Sequence, residues 1–287
     1  MAYDTRLMSG LIDLHTHSTW SDGTLAPAAL VQLAAQRKVE VLALTDHDTT
    51  LGLDEARAAC ATAGIGLVTG VEITAGWRGQ EIHIVGLSVD PDSPQLQTHL
   101  TQLVQLRRDR IVAIGERLRK ERRFTDSDFA AQVLATAPVP TRMHVARAMV
   151  ALGATATTQQ AFDRYLGRGC VGHVPQQWPT VEAAIAAIRA AGGHAVLAHA
   201  HRYKLSGGAL RNLCAEFAGW GGSALEVSLP GLSPGDASRL ASLARQHSLA
   251  GSAASDFHEP GLPWRPLGRF AKLADGIEPL LPRLKVA

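Results

Sequence analysis

The stretch Asp13-Leu14-His15-Thr16-His17-Ser18, followed by Asp22-Gly23, joins a short apolar run to side chains that bind metal ions. Its apolar residues predict a β-strand over residues 11–14. His15 and His17 lie two residues apart, so on an extended backbone both imidazoles point to the same side. Neutral imidazole is the commonest metal ligand, so the pair predicts part of a metal site. An isolated His-x-His pair fits a strand end without metal equally well, and the remaining motifs decide between the two.

Length and composition bound the possible classes of protein. The 287 residues suffice for one large domain or for a domain with an insertion. The net charge of +2 gives no overall attraction to nucleic acid or membranes. Three widely spaced cysteines form neither a disulfide framework nor a C-x-x-C pair, which favours a reducing compartment. Residues 1–10 lack a signal-peptide core, and no apolar run could span a bilayer, so we expect a cytoplasmic protein without membrane association.

Short strand-like runs alternate with helical patterns in both terminal parts of the chain. The predicted strands cover residues 11–14, 39–44, 66–71, 81–87, 194–198, 224–228 and 249–253. The predicted helices between them cover residues 27–37, 53–63, 181–191, 209–218 and 237–246. This alternation is typical of an α/β fold with parallel strands covered by helices.

The middle of the chain differs, because it carries no convincing strand. Seven apolar residues recur at roughly helical spacing: Leu96, Leu100, Leu103, Leu106, Ile111, Ile114 and Leu118. Further short helices are predicted over residues 125–134, 141–152 and 158–166. We therefore predict an all-helical insertion, residues 94–171, that acts as a lid on an α/β domain formed by residues 10–93 and 172–287.

Side chains of metal-ligand type recur near the ends of the predicted strands. Beyond the first pair they are His47, Glu72, His199, Asp256 and His258, and His83 lies within its strand. In a β/α barrel the carboxyl ends of the strands face one pocket, so these residues would converge. Nitrogen and carboxylate donors suit Zn, Mn or Fe, with Mg at a more carboxylate-rich position. So many donors exceed the needs of one ion, which predicts two or three ions.

Six motifs occur in order along nearly the whole chain. They are Asp13-Leu14-His15-Thr16-His17-Ser18 through Asp22-Gly23, Leu44-Thr45-Asp46-His47-Asp48, Gly70-Val71-Glu72-Ile73, Glu81-Ile82-His83-Ile84, Leu197-Ala198-His199 and Ser255-Asp256-Phe257-His258. Together they resemble the PHP (polymerase and histidinol phosphatase) superfamily of metal-dependent phosphoesterases. The resemblance implies a distorted seven-stranded (β/α)7 barrel with a trinuclear site. By position, His15, His17, Glu72 and Asp256 would hold one ion, Glu72, His83 and His199 a second, and Asp22, His47 and His258 a third.

Within this superfamily the helical insertion is most similar to that of the 3′,5′-nucleotide bisphosphate phosphatases, some of which act as 5′→3′ exoribonucleases on short RNA. Thr141-Arg142-Met143-His144 and His199-Ala200-His201-Arg202-Tyr203 match the group approximately. The group commonly has His-Pro-Gly-Arg-Tyr at the second motif. It also has Gly-Lys-Pro-x-Tyr-Val where this chain has Gly169-Cys170-Val171-Gly172-His173-Val174. The missing lysine affects the expected substrate contacts and leaves the metal ligands unchanged.

Hydrolysis of a phosphate ester needs a stronger nucleophile than neutral water. Metal ions lower the pKa of bound water from about 15.7 to near 7 and neutralise charge on the leaving oxygen. We expect a bridging hydroxide to attack phosphorus, with His201 as the proton donor and Arg202 assisting. Arg142, His144, Arg202 and Tyr203 are the candidate substrate-binding residues, because guanidinium groups pair with phosphate through two hydrogen bonds.

These assignments have plainer alternatives. Arg142 can cap or pair within its own helix, and His144 can be an ordinary surface histidine. Arg202-Tyr203 can be loop packing. The arginine-rich run 107–123 is expected to be a solvated helix face.

Other polar residues are interpreted as neighbours of the ligands. Asp46 and Asp48 are candidates to fix the ring of His47. Glu226 is expected either near the site or simply paired, and Trp178 is expected to pack rather than to stack on a base.

The favoured function is metal-dependent hydrolysis of the phosphate monoester of small nucleotides such as 3′,5′-bisphosphates, extending to short 5′-phosphorylated RNA, with manganese as the favoured metal. The expected partner is the nucleotide or RNA end itself, with no stable nucleic-acid complex. Histidinol-phosphate phosphatase is the alternative within the same fold. An amidohydrolase is less favoured, because many binuclear members use a carboxylated lysine and no lysine here follows a predicted strand. A structural metal domain supporting a polymerase is disfavoured, since the chain carries no polymerase sequence.

Overall fold

The computed structural model describes residues 11–262 and 264–287 and shows an α/β fold around one seven-stranded sheet. The strands are β1 (Leu11–Thr16), β2 (Val39–Leu44), β3 (Gly66–Trp77), β4 (Gln80–Leu87), β5 (His194–Leu197), β6 (Ala224–Ser228) and β7 (Ala250–Ala253). They lie side by side in chain order. Residues 1–10 lie outside the described residues, and with them the first residue of the predicted α/β domain and the segment on which the signal-peptide expectation rests.

The helices cover the sheet and fill the middle of the chain. They are α1 (Pro27–Gln36), α2 (Leu53–Ala63), α3 (Pro94–Leu118), α4 (Phe129–Thr136), α5 (Arg142–Ala151), α6 (Thr158–Ala161), α7 (Val181–Ala190), α8 (Gly207–Gly219) and α9 (Pro234–Gln246). Short 3-10 turns occupy Arg122–Phe124, Ala200–Arg202 and Leu281–Arg283. Proline opens α1, α3 and α9, where its missing N–H costs nothing. Hydroxyl or carboxylate side chains cap the first turns of α4 to α9.

The predicted parallel arrangement holds for β1 to β3 and for β5 to β7, but β4 runs antiparallel to both of its neighbours. Only Arg78 and Gly79 join β3 to β4, and their φ angles are +48° and +75°. A two-residue turn with positive φ at both positions matches the twist of a hairpin, and it reverses the strand without a crossover helix. β3 also continues past the predicted end, so Glu72 lies within a strand rather than after one.

The chain between β4 and β5 is helical throughout its regular elements, as predicted, although two boundaries differ. α4 begins at Phe129 instead of residue 125, because the Asp128 carboxylate accepts a hydrogen bond of 2.9 Å from the Ala131 amide and caps the helix there. The predicted helix over 158–166 is α-helical only in α6. It continues as a π-helix, Phe162–Leu166, which packs Tyr165 and Leu166 inward.

Helix α3 belongs to two apolar cores. Its first half packs Leu96, Leu100 and Leu103 against the β3–β4 side of the sheet. Its second half packs Ile111, Ile114 and Leu118 with α4 and α5, around Phe129 and Met149. The helical segment therefore has a core of its own and is anchored to the sheet by one long helix. The domain limits at residues 94 and 171 stay a prediction.

The first and last strands approach each other at the end of the sheet where the predicted ligands lie. Thr16 forms a bridge with Phe257, and the His17 amide donates a 2.9 Å hydrogen bond to the Phe257 carbonyl. None of the helices in the described part of the chain is both long and apolar enough to cross a membrane.

Candidate metal centre

Strand β1 delivers His15 and His17 to the site as fully buried side chains. The neighbouring Asp13 carboxylate accepts hydrogen bonds from the amides of Ser255 (2.9 Å) and Gly268 (2.8 Å), which fastens β1 to the last part of the chain. The loop after β1 then folds back on itself. A Cβ at Gly23 would lie 2.5 Å from the His17 carbonyl oxygen, so only glycine permits the turn that returns Asp22 to the site.

The Glu72 carboxylate, on β3, stands at the centre of five imidazoles. Its Oε2 atom lies 3.3 Å from Nε2 of His15, 3.3 Å from Nε2 of His17 and 2.9 Å from Nδ1 of His47. Its Oε1 atom lies 3.0 Å from Nδ1 of His83 and 2.9 Å from Nε2 of His199. Glu72 therefore has the position expected of a carboxylate that bridges ions.

Two further carboxylates complete the cluster. Asp22 Oδ1 lies 3.3 Å from His258 Nε2 and 3.6 Å from His47 Nε2. Asp256 Oδ1 lies 3.4 Å from His17 Nε2 and 3.5 Å from His258 Nδ1. All nine ligands predicted from the sequence therefore converge on one region.

Three groups of donor atoms each fit within 4.8 Å of one another. They are His17, Asp22, His47 and His258, then His15, His17 and Asp256, and finally His47, Glu72 and His83. These groups overlap with the three sets implied by the family resemblance, but His17 and His47 each belong to two of them. His199 joins the cluster through Glu72.

Contacts inside the cluster fit bound ions better than hydrogen bonds. Among the described residues, Glu72 Oε2 and His47 Nδ1 are buried without a hydrogen bond, although they lie 2.9 Å apart. His15 Nε2 and His17 Nε2 are 3.0 Å apart. Two atoms that bind one ion at right angles, each at about 2.1 Å, lie about 3 Å from one another. The donor set and its spacing therefore suit divalent metal ions.

The electrostatics keep the carboxylates ionised. Burial raises the pKa of Glu72, but the surrounding histidines, led by His47, outweigh it and hold that pKa well below its ordinary value. Burial likewise opposes the charge of His17 and His83, yet their carboxylate neighbours raise the pKa of His17 to about 9 and that of His83 to about 10. Without metal these two rings carry protons, which an incoming ion would displace.

The backbone is strained where three of these strands end. Asp48, His199 and Asp256 have φ angles of +50°, +29° and +54°. Left-handed backbone is unfavourable for residues with a Cβ and tends to be retained at functional sites. Three of the seven non-glycine residues with positive φ in the described part of the chain therefore lie at the same sheet end as the predicted ligands.

Asp46 and Asp48 do not fix the ring of His47, so that expectation is wrong. The Asp46 carboxylate accepts hydrogen bonds from the Ser18 amide (2.7 Å), the Ser18 hydroxyl (2.6 Å) and the Ser21 hydroxyl (2.6 Å). Asp48 accepts from the Thr74 amide at 2.7 Å and pairs with Arg107. Both carboxylates instead hold the loops that carry the ligands.

Arg107 and Arg110 of α3 are buried, so the solvated face predicted for residues 107–123 is wrong at these two positions, whereas Arg117, Arg119, Arg122 and Arg123 are exposed as predicted. Arg107 Nε lies 2.5 Å from Asp48 Oδ2, and Arg110 Nη1 lies 2.9 Å from Glu81 Oε2. Both positions fall on the stripe formed by Leu103 and Ile114, at spacings of three and four residues. That interruption of an apolar stripe by two arginines was the sequence signal for their burial.

The predicted substrate residues of α5 differ in their surroundings. Arg142 pairs with Glu81 of β4 at 3.4 Å rather than within its own helix. His144 is engaged structurally, because its Nδ1 atom accepts a 3.0 Å hydrogen bond from the Thr141 amide in a capping box. Thr141, absent from the sequence-based site, donates its hydroxyl to Asp22 Oδ2 at 3.2 Å. The start of α5 is therefore joined directly to the metal cluster.

The predicted site residues after β5 also differ from one another in their contacts. Arg202 pairs with Asp256, as does Arg265, whose Nη1 atom lies 3.1 Å from Asp256 Oδ2. The Tyr203 hydroxyl accepts a 2.9 Å hydrogen bond from the His83 amide. Burial, followed by the charge of Arg202, lowers the pKa of His201 to about 4, so this imidazole is neutral at pH 7.

Two cavities meet above the cluster. The inner cavity, of about 130 Å³, is lined by Asp22, His47, Glu81, His83, Arg107, Arg110, Thr141, Arg142, Met143 and Phe162. The outer cavity, of about 570 Å³, shares Glu81, Arg110 and Arg142 with it. Arg78 and Arg168 also line the outer cavity, as does the buried Trp178, which is packed against Arg107 and Arg110 as expected. The cluster of predicted metal ligands thus opens into a cationic groove.

Known proteins are similar to this chain in sequence. Residues 13–129 match the PHP domain family. The chain is 44% identical to the 5′-3′ exoribonuclease Rnm of Escherichia coli, over 93% of this chain and 92% of that protein. It is 38% identical to the 3′,5′-nucleoside bisphosphate phosphatase of Chromobacterium violaceum, over 94% of both chains.

Two solved structures agree closely with the fold. One, described as an amidohydrolase from Chromobacterium violaceum with bound sulfate and no metal, has a TM-score of 0.89 and 36% identity, covering 96% of this chain and 97% of that one. The other, described as a metal-dependent phosphoesterase from Bifidobacterium adolescentis, has a TM-score of 0.81 and 32% identity, with 94% of each chain covered. The chain belongs to the PHP family of metal-dependent phosphoesterases. It is an enzyme, a hydrolase of phosphoric esters.

Proposed function

We propose that this hydrolase removes a phosphate from small nucleotides that carry a second phosphate, such as adenosine 3′,5′-bisphosphate, and that it also cleaves nucleotides from short 5′-phosphorylated RNA. One observation carries the proposal: nine side chains with nitrogen or oxygen donors, eight in the three donor groups and His199 through Glu72, converge beside a cavity lined by Arg107, Arg110 and Arg142. The activities named for the two curated relatives support the same substrate class.

The nine clustered side chains would hold two or three divalent ions, with manganese favoured by the mixed imidazole and carboxylate donors. They are His15, His17, Asp22, His47, Glu72, His83, His199, Asp256 and His258. Bound ions supply a nucleophile at neutral pH and neutralise phosphoryl charge. Glu72 would bridge ions, because its two oxygens face different histidines. Asp22 lies beside Nε2 of His258 and Asp256 lies beside Nδ1 of the same ring, and each carboxylate would bind a metal ion.

The arginines on the helical side would bind the phosphates. Arg142 is exposed enough to turn from Glu81 to an incoming phosphate, and guanidinium matches phosphate with paired hydrogen bonds. Arg202, which pairs with Asp256, would bind the phosphate from that side of the site. His201 as proton donor has the least support, since its ring is neutral at pH 7 and Nδ1 is buried without a hydrogen-bond partner among the described residues. For Tyr203 and His144 we propose support of the site rather than direct contact.

We also infer that the sheet forms a distorted barrel and that residues 94–171 act as a lid. The bridge between Thr16 and Phe257 supports closure of the sheet beyond β1 and β7. The pairing of Arg107 with Asp48 and of Arg110 with Glu81 places α3 over the sheet end. A lid at this position would limit the size of the substrate.

A substrate panel tests the proposal. The metal-replete protein is assayed with adenosine 3′,5′-bisphosphate, 5′-AMP, histidinol phosphate and a short 5′-phosphorylated RNA. We expect the bisphosphate and the RNA to have the highest kcat/KM, because each offers a second phosphate to the arginines. A preference for histidinol phosphate over every nucleotide would overturn the proposed substrate class.

A further inference from the structure

Glu226 is a buried carboxylate for which the proposed reaction has no use. It lies on β6 and is 1% exposed. It belongs to none of the three donor groups within the cluster. A buried charge without a metal or a cationic side chain needs strong hydrogen bonds to offset its desolvation.

Each oxygen of Glu226 contacts a different predicted ligand. Oε1 lies 2.7 Å from Nδ1 of His15, and Oε2 accepts a hydrogen bond of 2.6 Å from the backbone amide of His199. These two ligands come from β1 and β5, which are not neighbours in the sheet. One carboxylate on β6 thus contacts predicted ligands from two strands that do not pair with each other.

The contact with His15 selects one form of the ring. A carboxylate against Nδ1 requires the proton on that nitrogen, so in the neutral ring, the form that binds metal, the lone pair lies on Nε2. His15 Nε2 is the atom that faces Glu72 and Asp256, at 3.3 and 3.6 Å. The ring is therefore oriented with its ligating nitrogen toward the cluster.

The contact with His199 supports a strained backbone. His199 has a φ of +29° and ψ of +46°, which residues with a Cβ rarely adopt. The hydrogen bond from its amide to Glu226 holds this conformation, and its Nε2 atom then lies 2.9 Å from Glu72. Without the carboxylate, the amide would be a buried donor without an acceptor.

We propose that Glu226 is a positioning residue for the metal centre, which presets the tautomer of His15 and the backbone of His199 so that both rings bind metal. The inference rests on the proposed metal site. Partners of this kind commonly contribute about 10–100-fold to metal affinity or activity. Its loss should weaken metal binding and leave substrate recognition unchanged.

The test measures Mn²⁺ binding to the metal-free protein, from the EPR signal of free Mn²⁺, for wild type, Glu226→Gln and Glu226→Ala. Glu216→Gln is the matched control, because that carboxylate contacts Trp77 and Arg78 away from the cluster. We expect Mn²⁺ binding about 10–100-fold weaker in both Glu226 variants and unchanged in the control. At saturating Mn²⁺, KM for adenosine 3′,5′-bisphosphate should equal that of wild type and kcat should largely recover.

Thermal melts of the metal-free proteins separate positioning from folding. A folded Glu226 variant that binds Mn²⁺ as tightly as wild type overturns the inference alone. Variants that are unfolded without metal and are not restored by it would show a purely structural role, which also overturns it. A wild type that binds no Mn²⁺ would overturn the metal site and this inference together.

Discussion

The strand ends and helix α3 reach the same cavity with opposite chemistry. The strand ends bring imidazoles and carboxylates, and α3 brings the buried cations Arg107 and Arg110. The donors form one dense cluster around Glu72, whereas each arginine is held by a single carboxylate at the rim. The difference suggests a division of labour, in which the strand ends carry the reaction and the helical segment carries recognition and anchoring. Substitutions at the strand ends should therefore reduce turnover, whereas substitutions in the helical segment should reduce stability or substrate recognition.

The largest effect is expected on the strand side. His47→Ala removes a ring that contacts both Glu72 and Asp22, so it should disrupt two ion positions at once. We expect kcat to fall at least about 10²–10³-fold for every substrate, the scale of losing one electrostatic contact in the transition state. The control is His247→Ala, at the end of α9. Wild-type turnover by His47→Ala in metal-replete buffer would contradict the site.

A large loss of stability is expected on the helical side. Arg107→Ala leaves Asp48 as an unpaired buried charge, which typically costs about 3–5 kcal/mol in the free energy of unfolding. Arg108→Ala, one residue further on α3 and partly exposed, should change it by less than about 0.5 kcal/mol. Urea denaturation of the metal-free proteins measures the free energy of unfolding of both variants. Equal midpoints for the two variants would show that α3 is not anchored through this pair.

We expect Arg142→Ala to weaken substrate recognition without a loss of fold. A charged hydrogen bond contributes about 1.5–3 kcal/mol, so kcat/KM for adenosine 3′,5′-bisphosphate should fall about 10–100-fold. The fall should be smaller for a substrate with one phosphate, such as 5′-AMP. Arg164→Ala, which is exposed on the π-helix, is the control. An equal fall for both substrates would break the proposed division between reaction and recognition.

The last prediction concerns pH and needs no substitution. His17 and His83 have pKa values raised to about 9 and about 10 without metal, so both are protonated at pH 7. Metal binds the deprotonated rings, so apparent Mn²⁺ affinity should rise from pH 6 to pH 8.5, by roughly tenfold per pH unit for each proton released. Titrations across this range, with proton release measured by calorimetry in two buffers, check the sign. Affinity independent of pH would place the ions away from these histidines.

The same contrast explains what the sequence could predict. The ligands of the strand ends lie in short local motifs, and His15, Glu72 and Asp256 could each be identified from their immediate neighbours. The antiparallel direction of β4 could not be predicted, because the sequence at Arg78 and Gly79 fits a loop between parallel strands as well as a two-residue hairpin turn.

The contribution of α3 was harder to predict, because burial of an arginine depends on a distant partner. Arg107 is buried by Asp48, 59 residues earlier in the chain. The same reason explains the partners of Asp46, which accepts hydrogen bonds from Ser18 and Ser21 rather than from its neighbour His47. Local pattern specifies which side chains can bind metal, and tertiary packing decides which charges surround them.

Counting metal ions during reactivation tests the central claim most directly. Metal-free protein is titrated with Mn²⁺ while bound ions per chain and hydrolysis of adenosine 3′,5′-bisphosphate are measured on the same samples. The nine-donor cluster predicts two or three bound ions per chain, with turnover rising only as the second ion binds. Full turnover with one ion or none would contradict the account.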